Sequence, residues 1–156
     1  MPEIENNQDL IEQVSHPPKY AQLAGTLVAR VTTEEAKKYK NKQAIIQSAR
    51  TRLHQLTGAF IAPKIDYAQW LDNFKSLRPN DPMELKTTSL QMMRLHASTS
   101  ERIEVLPTFF QTTLASISPV KSVLDLACGL NPLSIPWMPL ATDFTYYASD
   151  VVSPLV

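Results

Sequence analysis

Gly129 and Asp150 are the residues of this 156-residue chain whose types and spacing fit ligand chemistry. Gly129 stands in the small-residue turn of "VLDLACGLNPL", four positions after an acid, and Asp150 ends the later stretch "FTYYASD", 21 positions after Gly129. A separation near 20 is that between a nucleotide-binding turn and the ribose-binding acid of Rossmann-type units. A carboxylate placed there accepts hydrogen bonds from both ribose hydroxyls, and a glycine lets the backbone approach a ligand with no side chain between. Positions 127–132 read A-C-G-L-N-P, so there is no G-x-G-x-x-G. A pyrophosphate needs those glycines and the helix amides, which argues against a dinucleotide and favours S-adenosylmethionine, a nucleoside cofactor without phosphate. Taken alone, acid-x-x-x-glycine is equally the turn after an ordinary strand.

The elements that would position this pair are short. "SVLDLA", between Pro119 and Gly129, reads as a buried parallel strand, Asn131 with Pro132 as a cap and first helical residue, and "FTYYASDV" as a second strand. Upstream, Ser98 followed by Glu101 fits a capping box. Ile103, Leu106, Phe110 and Leu114 follow at helical spacing, with Pro107 expected to kink that helix. On spacing alone, His96 and Arg102 decorate a helix start. The front of the chain is helical: Pro17 and Pro18 open one helix, Thr33 offers a cap before "EEAKKYK", and Ile45, Ala49, Leu53 and Leu56 form a stripe stopped by Gly58. "DYAQWLDNFKSL" is a further short helix, and "RPNDP" is a linker ending with Asp81 as cap and Pro82 at the first helical position.

The formal net charge of zero hides an asymmetry. Residues 1–15 carry four acids and no base, whereas residues 16–64 carry nine Lys and Arg against Glu34 and Glu35. Such a concentration fits a polyanion-binding module, and equally a solvated helix face. The single Cys128 excludes an internal disulfide framework and a cysteine-rich zinc site, and the scattered His16, His54 and His96 predict no metal cluster. No run of about 18 apolar residues offers a membrane span, and the acidic start is unlike a signal peptide, so the expected compartment is the cytoplasm.

"ARTRLHQLTGAFI", "LHASTSERI" and "VLDLACGLNPL", in this order, resemble the methyltransferases that modify a decoding-site guanine of 16S ribosomal RNA at ring nitrogen seven and confer aminoglycoside resistance. The resemblance extends over residues 16–151. It implies an α/β chain in which an N-terminal helical domain docking on the 30S subunit precedes the first part of a Rossmann-like domain holding S-adenosylmethionine. The expected division is an acidic tail (1–15), a helical RNA-binding domain (16–95) and a partial methyltransferase domain (96–156). By matching motif, the resemblance implies that Arg102 meets the methionine carboxylate, that His96, Ser98 and Thr99 shape the same pocket edge, that Gly129 lies against the cofactor and that Asp150 takes the ribose. Lys19, Lys37, Lys38, Lys42, Arg50 and Arg52 fall in the part that contacts 16S rRNA. Neither an acid-base residue nor a metal is implied, because the guanine nitrogen already carries its lone pair, and Cys128 reads as a packing residue. Family members continue through further strands and helices, so the expectation is a truncated or partial member, inactive alone. The alternatives are a non-catalytic RNA-binding fragment and a methyltransferase for another RNA or a small molecule; the basic segment and the "LHAST" stretch disfavour the last.

Overall fold

The computed structural model describes residues 2–58 and 65–155, and for residues 2–6 the backbone alone. The chain divides into two units: residues 1–63 with 151–154, and residues 64–150 with 155–156. This division by contact lies near residue 64, whereas the expected division kept residues up to 95 with the helical segment. The two helices at 67–93 belong to the second unit.

Among its described residues the first unit contains four helices: α1 (Pro2–Ser15), α2 (Pro18–Ala21), α3 (Gly25–Ala36) and α4 (Lys42–Thr57). The acidic segment expected as a tail is α1, which packs on α3 and α4. Leu10 and Val14, four apart, are buried on one of its faces. Pro17 and Pro18 start α2 as expected. Thr33, expected as a cap, lies inside α3, which runs unbroken from Gly25. The reason is packing: Leu27, Val28, Val31 and Thr32 form one buried face, and their burial outweighs a local preference for a cap at Thr33. Helix α4 starts at Asn41, whose side chain accepts from the amides of Gln43 and Ala44.

The buried row of α4 is Ile45, Ala49, Leu53 and Thr57, joined by Ile46, while Leu56 is 48% exposed. Steps of four keep the first set on one face. Leu56 sits to its side, and Thr57 completes the row because its hydroxyl donates to the Leu53 carbonyl at 2.8 Å. Gly58 ends the helix where a Cβ would come within 2.6 Å of the His54 carbonyl and ring. The continuation "AFI", 59–61, lies outside the described residues. Residues 151–154 add a short antiparallel bridge, Leu23 to Val152, with the Ala24 amide donating to the Val151 carbonyl at 2.8 Å.

The second unit holds α5 (Tyr67–Lys75), α6 (Pro82–Met93), α7 (Ala97–Ser100), α8 (Leu106–Thr113) and two strands, β1 (Val120–Leu126) and β2 (Leu140–Ser149). Asp81 caps α6 with Pro82 in the first turn, as read from the sequence, and Asp66 caps α5. The capping box expected at Ser98 and Glu101 is not formed. His96 occupies the N-cap of α7 without a side-chain cap, because the Ser98 hydroxyl instead lies 2.8 Å from His96 Nδ1. Pro107 falls in the first turn of α8, where its missing N–H costs nothing, so it starts a helix rather than kinking one. Met93, Leu106 and Phe110 form a buried cluster against Leu90, Ile103, Leu114, Leu133, Trp137 and Met138.

Strands β1 and β2 pair in parallel, with Leu124 opposite Tyr147, Asp125 opposite Ala148 and Leu126 opposite Ser149. They are joined by the turn at 127–130 and a 3₁₀ helix, Asn131–Trp137. Pro132 lies in its first turn, but the N-cap is Leu130. Asn131 is not the side-chain cap that the sequence predicts. Side chains alternate along β1: Val123 and Asp125 are half-buried, whereas Leu124 and Leu126 are 67% and 69% exposed. Among the described residues no helix is long and apolar enough to cross a membrane.

Candidate functional site

At the carboxyl ends of β1 and β2 the chain turns through two left-handed residues, Ala127 (φ 53°) and Gly129 (φ 51°). Gly129 is the residue type this conformation favours, while Ala127 carries a strain of roughly 1–2 kcal/mol. The turn is held from β2: the Cys128 amide donates to the Ser149 carbonyl at 3.0 Å, and the Gly129 amide donates to Asp150 Oδ2 at 2.8 Å. The two residues singled out by spacing are thus in direct contact. One Asp150 oxygen is anchored by the turn, which fixes the direction of the carboxylate. A Cβ built at Gly129 meets nothing within 4 Å, so the protein leaves open space on that side of the turn.

A second string of polar contacts leads into the same turn. Arg102 Nε donates to the Ser98 carbonyl at 3.0 Å, and Nη1 donates to Asn131 Oδ1 at 3.4 Å. Asn131 Nδ2 donates to Asp125 Oδ2 at 2.8 Å, and the Tyr146 hydroxyl donates to the same oxygen. Thr99, buried, donates to the Met93 and His96 carbonyls, so it braces the segment that carries Arg102. His96 is buried beside Ser98. Arg102 and Ser98 therefore join the turn through Asn131, while His96 and Thr99 support the backbone behind them. Asp125, Asn131 and Tyr146 were not singled out by spacing. Asn131 read as a helix cap, and nothing local marks a tyrosine in a strand as the partner of an aspartate 21 positions away.

Burial, with the hydrogen bond and charge of Asp125, pushes the Tyr146 phenol far above its ordinary value, and burial with the Asp150 and Asp125 carboxylates pushes the Cys128 thiol up. Both groups stay protonated at neutral pH and offer no nucleophile. Among the described residues no cluster of His, Cys, Asp and Glu could hold a metal ion.

In the first unit the basic candidates separate into two sets. Arg52 pairs with both Glu34 and Glu35, Lys38 with Glu35 and Lys42 with Asp9. Their charge is neutralised within the chain. The Lys38 ammonium first, then the Ser48 hydroxyl and the Arg52 guanidinium, hold the buried Glu35 carboxyl down at about 2. Lys19, Lys37 and Arg50 make no ion pair among the described residues. Lys19 and Arg50, with Tyr20, Gln43, Gln47 and His54, line an open groove of about 610 Å³. Arg50 Nη2 donates to the Gln13 carbonyl at 2.6 Å, and Tyr20 closes the other side by donating to the Arg50 carbonyl at 2.9 Å. Arg50 and Arg52 therefore flank the buried row of α4 on opposite sides, since two residues turn a helix by about 200°.

A family model described as "Ribosomal RNA methyltransferase (FmrO)" matches residues 16–156. The chain belongs to this family. It is 37% identical over 133 residues to a 16S rRNA (guanine(1405)-N(7))-methyltransferase of Micromonospora olivasterospora, covering 85% of this chain and 44% of the relative. A protein of the same name from Serratia marcescens is 31% identical over 153 residues, covering 96% and 56%. Among solved structures, the 16S rRNA methylase RmtB superposes with a TM-score of 0.72 at 29% identity, covering 96% of this chain and 56% of that one. The 16S rRNA methyltransferase RmtF, solved in complex with S-adenosyl-L-homocysteine, gives 0.68 at 26%, covering 97% and 55%. The chain spans about half the length of the curated relatives it matches. The helical segment followed by a parallel strand pair is thus the family's α/β fold over the matched length.

Proposed function

We propose that the protein transfers a methyl group from S-adenosylmethionine to ring nitrogen seven of a decoding-site guanine of 16S rRNA, on the 30S subunit in the cytoplasm, and thereby confers aminoglycoside resistance. The observation that carries this reading is the Gly129–Asp150 contact at the carboxyl ends of two parallel strands, which fits a nucleoside. The donor set agrees: a carboxylate for ribose hydroxyls, a guanidinium for a carboxylate, and an open, phosphate-indifferent turn. In this assignment Asp150 orients the ribose, Gly129 gives the nucleoside backbone-close access, and Arg102 binds the methionine carboxylate, with His96, Ser98 and Thr99 holding Arg102 in place. When bound, the cofactor supplies an activated methyl on a sulfonium. The chain's own contribution is then alignment and exclusion of water, because the guanine nitrogen needs no base to free its lone pair. RNA is taken by the first unit, with Lys19, Lys37 and Arg50 as the phosphate-facing cations; the names of the curated relatives supply the guanine specificity.

The test is transfer of labelled methyl from S-adenosylmethionine to purified 30S subunits, with the product mapped on the RNA. Label at a guanine nitrogen seven in 16S rRNA is the expected result. Label on another RNA or position would overturn the substrate. The groove lined by Lys19 and Arg50, which needs no cofactor to bind a polyanion, supports one second reading, a non-catalytic RNA-binding protein. Binding to 30S subunits with neither label transfer nor S-adenosylhomocysteine binding would establish it.

A further inference from the structure

We infer that Asn131 is a positioning residue that holds Arg102 and Asp125 as an opposed pair for the zwitterionic amino-acid end of the cofactor. The inference rests on the S-adenosylmethionine reading above and assigns this residue and Asp125 a part in it.

The network itself orients the amide. Asn131 Oδ1 receives Arg102 Nη1 at 3.4 Å and lies 3.3 Å from the hydroxyl of the buried Ser134, whose proton goes to the Asn131 backbone carbonyl. Asn131 Nδ2 faces the Asp125 carboxylate at 2.8 Å and the Tyr146 oxygen at 3.4 Å. Turning the amide over would set its NH₂ against the Arg102 guanidinium and its oxygen against the Asp125 carboxylate, so one orientation satisfies both charged partners. One planar group thus binds a cation at one edge and an anion at the other. Arg102 is further tied to the Ser98 carbonyl and Asp125 to the Tyr146 hydroxyl, so neither charge swings freely. An α-amino acid carries its ammonium and its carboxylate on one shared carbon. A guanidinium and a carboxylate separated by the width of one amide match that pattern.

The local chain accounts for the choice of Asn131 over a cap. Its carbonyl accepts from the Ser134 hydroxyl and its amide donates to the Cys128 carbonyl at 2.8 Å, so the backbone of the 3₁₀ turn is satisfied without the side chain. The side chain is left to bridge Arg102 and Asp125.

The experiment compares two probes by calorimetry on the full chain: S-adenosylhomocysteine, which has the amino-acid end, and 5′-methylthioadenosine, which keeps adenine, ribose and thioether but lacks it. In Asn131→Ala, affinity for S-adenosylhomocysteine is expected to fall by about tenfold or more, as when a hydrogen bond to a charged group is removed. Affinity for 5′-methylthioadenosine should stay within about twofold. Asn131→Asp is the second variant. It is isosteric and keeps the acceptor for Arg102, but sets an oxygen against Asp125, and should show the same selective loss. An unchanged ratio of the two affinities in both variants, whether both are retained or both abolished, overturns the inference. Failure of the unmodified chain to bind either probe overturns the cofactor reading itself, and the inference with it.

Discussion

Arg102 and Asp150 reach the same turn by different routes, Arg102 through Asn131 and Asp150 through the Gly129 amide. Arg102→Ala and Asp150→Ala are each expected to weaken S-adenosylhomocysteine binding by roughly 1.5–3 kcal/mol, the worth of a charge-assisted hydrogen bond, and calorimetry checks this. Wild-type affinity in both variants would remove them from the site. Cys128→Ala is the contrasting case: the thiol is buried and held protonated, so the change should leave cofactor affinity within about twofold, with slightly poorer packing as its cost. Glu35 gives a prediction in pH. Its carboxyl is depressed from 4.5 to about 2, so the stability it contributes is present above pH 4.5 and is lost as pH falls toward 2. The gap in melting temperature between the natural chain and Glu35→Gln should therefore be full at neutral pH and close as pH falls through that window. A gap independent of pH would refute the assignment.

Helix α4 serves two purposes with one sequence. Its row Ile45–Ala49–Leu53–Thr57 is buried, Arg50 faces the groove with Lys19, and Arg52 turns toward the acids of α3. Charge reversal should separate these roles. Lys19→Glu is expected to weaken 30S binding and to make log affinity less steeply dependent on log salt, by about 0.7–0.9 for each phosphate that the variant no longer neutralises, with no change in helicity. Arg52→Glu is expected instead to lower the melting temperature, because it sets a third carboxylate beside Glu34 and the buried Glu35. Binding measured over a salt series, with circular dichroism on each variant, checks both. A salt-independent affinity would sink the phosphate assignment.

Of the two units, the second has a sheet with an exposed apolar outer face. Leu124, Leu126 and Tyr147, the last opposite Leu124 across the strand pair, are 67%, 69% and 58% exposed. Apolar surface left in water costs about 25 cal/mol per Å² relative to burial, and contiguous patches drive association. The 156-residue polypeptide alone is expected to self-associate with rising concentration, and Leu124→Lys with Leu126→Lys to suppress this. Sedimentation velocity over a concentration series decides it; a natural chain that stays monomeric at high concentration would show that the face is not adhesive.

Much of this architecture follows from short-range signals. Asp81 with Pro82, and Pro17 with Pro18, start their helices where the sequence places them, because a cap or a proline acts through its own backbone neighbours. The strand–turn–strand with Gly129 and Asp150 is equally readable, since strand alternation and a glycine turn are local and their spacing is set by the connection between two paired strands. What the residues alone leave open is the choice among partners distant in sequence. Thr33 and Asn131 carry good capping side chains, yet one lies within α3 and the other spans Arg102 and Asp125. Ser98 reads as a cap until His96 takes its hydroxyl. In each case a polar side chain had two satisfactory partners, and only the packed chain decided between them, by bringing the distant one within hydrogen-bonding distance.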